Sequence, residues 1–97
     1  MGKKYYTYIL ASKKDGVLYV GVTNNLKRRI YFHKGKYDKE SFTSRYFIDK
    51  LVHFEEYDNP LSAIEREKKL KRWKRDWKIE LIEKENPDWD DLYKNII

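Results

Sequence analysis

The chain has 97 residues, no cysteine and a formal net charge of +6, with 40% hydrophobic and 16% aromatic residues. That is the length of one domain, residues 1–97, with apolar side chains enough for one modest core and too many aromatics for a disordered tail. Disulfides, thiolate zinc sites and a cysteine nucleophile are excluded, and no apolar run approaches the ~20 residues of a membrane span. The basic start followed by Tyr5 to Ala11 has the outline of a signal peptide, but Thr7 interrupts it and no small-residue cleavage site follows. A strand, and a soluble cytoplasmic protein, are expected instead.

Tyr5 to Ala11, rich in aromatic and β-branched residues, reads as a strand. Ser12 to Gly16 ends in Asp-Gly, a hairpin signal, and Val17 to Val22 is a second strand. With a two- or four-residue loop, even-numbered residues pair with odd-numbered ones. Tyr8 and Tyr19 then share a face, and Gly21 leaves that face open beside them. Thr23 or Asn24 caps a helix that Gly35 ends. At ~100° per residue, Leu26, Arg29, Ile30 and His33 fall within one arc of it.

Lys36 to Arg45 is a polar loop without a period. Asp49 to Tyr57 alternates as a third strand, Val52 and Phe54 against Leu51 and His53. Asn59-Pro60 starts a helix expected to reach Arg75. Its apolar face is set by Ala63, Ile64 and Leu70, with Glu67 in the middle and Glu65 opposite. Trp73, Trp77 and Leu81 predict a further or kinked helix to about Glu83, with the tryptophans packing the core. Asn86-Pro87-Asp88 restarts a short terminal helix. The order β-β-α-β-α-α-α defines an α+β domain with a small three-stranded, mainly antiparallel sheet flanked by helices.

From Arg66 to Lys78 there are eight basic residues and two acidic ones, so this segment alone carries the net charge of +6. A positive stripe on a near-neutral body is the footprint of a polyanion binder; its bland counterpart is a solvated helix face. Phosphate contacts are expected from Lys71, Arg72, Lys74 and Arg75, with Lys27 and Arg28 on the earlier helix.

Tyr8, Tyr19, Arg29, His33 and Glu67 each have a structural explanation when taken singly. Strand tyrosines sit at the core rim, an Arg–His pair decorates a surface, and an inward Glu pairs with a lysine. Together they suit phosphodiester hydrolysis, which needs an activated water, a cation near developing charge and groups that orient the phosphate. A carboxylate offers oxygen to Mg²⁺ or Mn²⁺, and an arginine fork suits a phosphate. His53 has no such role and reads as structural.

Tyr6-Thr7-Tyr8, ten intervening residues, then Tyr19-Val20-Gly21 resembles the paired motifs of the GIY-YIG nuclease superfamily, closest to its small single-domain members. Gly21 to Arg29 with His33 matches that family's Arg-x-x-x-His helix, and Glu67 in Glu-Lys-Lys-Leu-Lys resembles its single metal-binding Glu. The resemblance implies an endonuclease cutting DNA with one Mg²⁺ or Mn²⁺ ion, in a setting such as DNA repair. Tyr19 would act on the attacking water, Arg29 on the scissile phosphate and Glu67 on the metal, while Tyr8 and His33 orient groups or shuttle protons. One departure is Tyr6, which replaces the first motif's glycine and, sharing a face with Tyr8, is expected to narrow or reshape the pocket. Two rival readings are a nucleic-acid-binding module that keeps the fold without cutting and a protein-interaction domain using the tryptophans. An inward Glu67 near phosphates favours the enzyme, because a carboxylate there repels DNA unless a cation intervenes. RNA stays open as a substrate, and selectivity is left to this core, to DNA shape or to an unidentified protein partner.

Overall fold

A computed structural model describes residues 3–35 and 41–97. Strand β1 (Tyr5–Ala11) lies between β2 (Leu18–Thr23) and β3 (Lys50–Tyr57), and both pairings are antiparallel. The first hairpin has a four-residue loop, Lys13 to Gly16. It is closed by Ser12 N–H to the Val17 carbonyl at 3.1 Å, with Val17 N–H on the Ser12 hydroxyl at 3.0 Å. Asp15 takes the left-handed conformation (φ 59) the turn requires, which Asp tolerates better than most residues. Even therefore pairs with odd, as expected: Tyr8 opposes Gly21 and Leu10 opposes Tyr19.

The β1–β3 pairing breaks this simple parity. Ile9 opposes His53 but Leu10 opposes Leu51, so Val52 is an extra, bulged residue. The expected strict alternation in β3 is thereby corrected. Leu51 and Phe54 join Tyr8 and Leu10 on one face, and Val52 joins Ile9 on the other.

Helices cover both faces. Leu26 and Ile30 of α1 (Leu26–Gly35) pack on the Tyr8 face. Leu70 of α3 (Pro60–Arg72) and Ile82 of α4 (Arg75–Glu85) pack on the Ile9 face, with Trp89 completing that core. The Asn59 side chain caps α3 by accepting the Ser62 N–H at 2.9 Å, with Pro60 in the first turn. The helix stops at Arg72, short of the expected Arg75, because Trp73 turns extended (ψ 147) and packs against the core. Trp77 is 49% exposed, so the expectation that it packs the core is corrected.

Helical phase also corrects two assignments on α3. Ala63 and Leu70 are fully buried, but Ile64, ~100° round from Ala63, is 37% exposed. Arg66 lies on the sheet side instead of in the solvated stripe. Its guanidinium donates to both Glu55 oxygens at 2.8 and 3.1 Å, and it stacks 5.0 Å from the Trp73 ring. Glu55 also binds the His53 imidazole (2.8 Å) and accepts from the Tyr57 hydroxyl (2.6 Å). His53, read as structural, is thus a buried partner of Glu55.

Burial alone would raise the Glu55 pKa, but the bonds from His53, Arg66 and Tyr57 outweigh it and hold the carboxyl at about 2. A folded-state pKa depressed below the unfolded value stabilises at pH above the ordinary carboxylate range. That stability is lost as pH falls from about 4.3, the ordinary glutamate value, toward about 2. Urea unfolding of wild type and Glu55→Gln should differ by on the order of 2 kcal/mol at pH 6, and the gap should close only below about pH 2. A gap independent of pH would remove the ionic account of this network.

Two segments depart from expectation, each holding a helix of only four residues. Of the loop expected over residues 36 to 45, residues 36 to 40 lie outside the described residues. Phe42–Arg45 forms a single helical turn, α2, whose cap is Ser41 accepting the Ser44 N–H at 3.2 Å. The expected terminal helix is a turn followed by a 3-10 helix, Leu92–Asn95. Asn86 anchors that turn by donating to the Val52 and Asp90 carbonyls at 3.1 and 2.9 Å. Among the described residues, no helix is long and apolar enough to cross a membrane.

Candidate active site

Tyr8 is 2% exposed and lies across Gly21 of the edge strand. A Cβ at Gly21 would stand 2.4 Å from the Tyr8 hydroxyl oxygen, so any side chain there would displace the phenol. The opening left by the glycine is thus filled by Tyr8, and the hydroxyl lies over the margin of the sheet. There it is 3.3 Å from His33 Nε2, which projects from the last turn of α1. The His33 ring is 5.9 Å from that of Tyr19 and 6.2 Å from that of Tyr8. Its Nδ1 lies 3.0 Å from the hydroxyl of Thr43 on α2.

The electrostatics tie the remaining groups to the same point. Burial raises the Tyr8 pKa, the charges of Tyr19 and Glu67 add to that, and Arg29 opposes it. Tyr8 therefore stays a neutral phenol, a proton donor. Burial first, then the Arg29 charge, lowers the His33 pKa against the pull of Asp49, which leaves a neutral imidazole at pH 7. Glu67, on α3, keeps its side chain 14% exposed and accepts from Lys71 at 2.8 Å. The Lys71 pKa is raised first by that hydrogen bond, then by the charges of Glu67 and Tyr19 against the effect of burial. Groups from β1, β2, α1 and α3 thus meet electrostatically at one edge of the sheet.

An open cleft of about 450 Å³ leads to this edge, lined by Tyr19, Arg29, Phe32, His33, Phe42 and Thr43. Arg29 is exposed at its mouth; Tyr8 and Glu67 are not part of its lining. Thr43 and its short helix escape sequence reasoning, since four residues carry no periodicity. The one signal is Ser41, a cap residue three before Ser44. Tyr6 does not enter the cleft. Its hydroxyl donates to Glu56 at 3.1 Å, its ring meets Phe54 edge-on, and it borders a separate groove with Lys4 and Asn25.

Lys27, Arg28, Lys71, Arg72, Lys74 and Arg75 are all exposed. Arg28 lies over the Phe32 ring at 5.8 Å, beside the cleft. Arg75 is engaged with the first hairpin, donating to the Asp15 and Gly16 carbonyls at 2.7 and 2.6 Å.

Among the described residues no three His, Cys, Asp or Glu side chains cluster as a protein cage for a metal. A single part-buried carboxylate fits instead a hydrated Mg²⁺ or Mn²⁺, which keeps several waters and takes one or two protein oxygens. Glu67 is the residue that would hold it.

The small antiparallel sheet with Tyr8, Tyr19, Arg29 and His33 about its edge is a domain of nuclease-type fold. The chain belongs to the GIY-YIG family, whose GIY-YIG catalytic domain matches residues 4–80. It is similar to the UPF0213 protein of Syntrophus aciditrophicus (strain SB), 40% identical over 86 residues, covering 88% of this chain and 95% of that one. The UPF0213 protein of Clostridium perfringens (strain 13 / Type A) is 36% identical over 91 residues, covering 94% and 96%. The solution NMR structure of the UPF0213 protein BH0048 from Bacillus halodurans superimposes with a TM-score of 0.56 at 26% identity, covering 91% of this chain and 92% of that one. That likeness agrees with the three-stranded α+β fold expected from the sequence.

Proposed function

We propose that this protein is a metal-dependent endonuclease that hydrolyses DNA phosphodiester bonds. The observation that carries the reading is the Tyr8 hydroxyl bonded to His33, whose ring lies beside that of Tyr19 in a cleft that Arg29 also lines. Tyr19 faces the cleft and acts on the attacking water, taking its proton as base or relay while its own hydroxyl proton leaves to solvent in the open cleft. Arg29, at the mouth, binds the scissile phosphate and opposes its growing charge. Tyr8, kept protonated and hydrogen-bonded to His33 Nε2 at 3.3 Å, helps His33 orient the groups around Tyr19. Glu67 would hold one Mg²⁺ or Mn²⁺, which supplies positive charge beside the phosphate when bound.

The direct test is incubation of the purified protein with labelled duplex, nicked, flapped and single-stranded DNA, and with RNA, in Mg²⁺, Mn²⁺ or chelator. Metal-dependent cutting supports the reading, and binding without cutting in any metal would make the non-catalytic module the better one.

The duplex is expected to lie across the cations near the end of α3. Neutralising Lys71, Arg72 and Lys74 together should weaken all duplexes about equally. It should also flatten the log–log salt dependence of affinity by up to ~0.9 for each phosphate no longer neutralised. An unchanged slope would move the DNA to the Lys27 and Arg28 side of α1.

A further inference from the structure

We infer that Thr43 is a positioning residue of this site, its hydroxyl fixing the tautomer and ring plane of His33 and through them the direction of the Tyr8 O–H bond. The inference rests on the nuclease reading for its effect on rate, but not for the tautomer itself.

A neutral imidazole has one donor and one acceptor nitrogen, and its partners decide which is which. Tyr8 is 2% exposed and keeps its proton, so its O–H needs an acceptor. Among the described residues, the partner that hydroxyl has is His33 Nε2 at 3.3 Å. Nε2 therefore accepts, and the ring proton sits on Nδ1, where it donates to Thr43 Oγ1 at 3.0 Å. The Thr43 hydroxyl hydrogen then has Ser41 Oγ, 3.3 Å away and the oxygen that caps α2, as an available acceptor. Each donor in this chain has an acceptor; the reverse polarity would strand the Tyr8 proton.

Thr43 is well placed to impose this order. It is 6% exposed, and its carbonyl accepts the Ile48 N–H at 2.9 Å, so its hydroxyl has little freedom. Free histidine favours the opposite tautomer, with the proton on Nε2. A fixed acceptor at Nδ1 is what inverts that preference here.

The test is the imidazole nitrogen spectrum of ¹⁵N-labelled protein by long-range proton–nitrogen correlation. The chain has two histidines, and His33→Gln assigns the signals. Wild type and Thr43→Ser should both hold the Nδ1–H form. Thr43→Val keeps the volume but removes the acceptor, and should shift His33 toward Nε2–H. Its kcat should fall roughly 10-fold, less than the ~10²–10⁴-fold worth of a full acid–base group, at unchanged DNA affinity, with Thr43→Ser near wild type. A wild-type His33 in the Nε2–H form, or a Thr43→Val protein that keeps Nδ1–H, overturns the inference. A wild type that holds Nδ1–H yet cuts no nucleic acid supports the positioning while removing the nuclease reading.

Discussion

Tyr19→Phe is expected to lose on the order of 10²–10⁴-fold in cleavage rate, the usual worth of a positioned proton-transfer group, while folding and binding DNA like wild type. The two phenols differ in their surroundings. Tyr8 is 2% exposed, bonded to His33, and pushed by burial to retain its proton. Tyr19 is half-buried and lines the cleft, and among the described residues its hydroxyl has no hydrogen bond to the protein. Deleting that hydroxyl therefore breaks no internal bond and leaves the ring packed beside His33. Tyr8→Phe, by contrast, leaves His33 Nε2 without its donor and should cost about 1 kcal/mol of stability as well as rate. Arg29→Ala should also be severe, but it removes a charge felt by both Tyr8 and His33, so it discriminates less cleanly. Single-turnover rates, with thermal unfolding and DNA affinity measured in parallel, decide the matter. A Tyr19→Phe protein that folds, binds and cuts at the wild-type rate would sink the assignment.

The parts of the site that follow from local rules were legible in the sequence. An even-length hairpin loop sets parity, and parity alone brings Tyr8 and Tyr19 to one face with Gly21 opposite Tyr8. Helical phase put His33 at the border of α1 and Glu67 on the inner side of α3. The same phase turns Arg66 inward, but a charge count treats every arginine as solvated. Only the partner carboxylate of Glu55, on another element, reveals the difference. The Val52 bulge was invisible because β3 reads as an unbroken alternation, and the slip appears only against β1. Tyr6 was expected to crowd the pocket because it shares a face with Tyr8. Two residues along a strand is ~6–7 Å, and that distance gives it a groove and a partner, Glu56, of its own. Thr43 was missed because its contact with His33 is made by one turn of helix.

Glu67→Ala is expected to abolish detectable cleavage, and Glu65→Ala to leave it nearly unchanged, although the two carboxylates are neighbours on one helix. Glu65 is exposed on the side of α3 away from the sheet, where a hydrated metal would touch no other group of the site. Glu67 has its side chain 14% exposed, and its charge reaches both Tyr8 and Lys71. A carboxylate in that position could serve Lys71 alone, so Lys71→Ala is the necessary control. If Glu67 matters only as the partner of Lys71, the two substitutions should be equally damaging. If Glu67 holds the ion, Lys71→Ala should lower DNA affinity and leave metal-dependent turnover at saturating DNA largely intact. Glu67→Gln keeps the size of the side chain and an oxygen for Lys71, and removes the charge. It should fold like wild type and need far more Mg²⁺ or Mn²⁺ for any cutting. Equal activity of Glu67→Ala and Glu65→Ala at saturating Mg²⁺ would rule Glu67 out as the ligand. Loss in Glu65→Ala alone would mean that the metal lies on the outer side of α3 and that the cleft beside Tyr19 is not where the phosphodiester is cut.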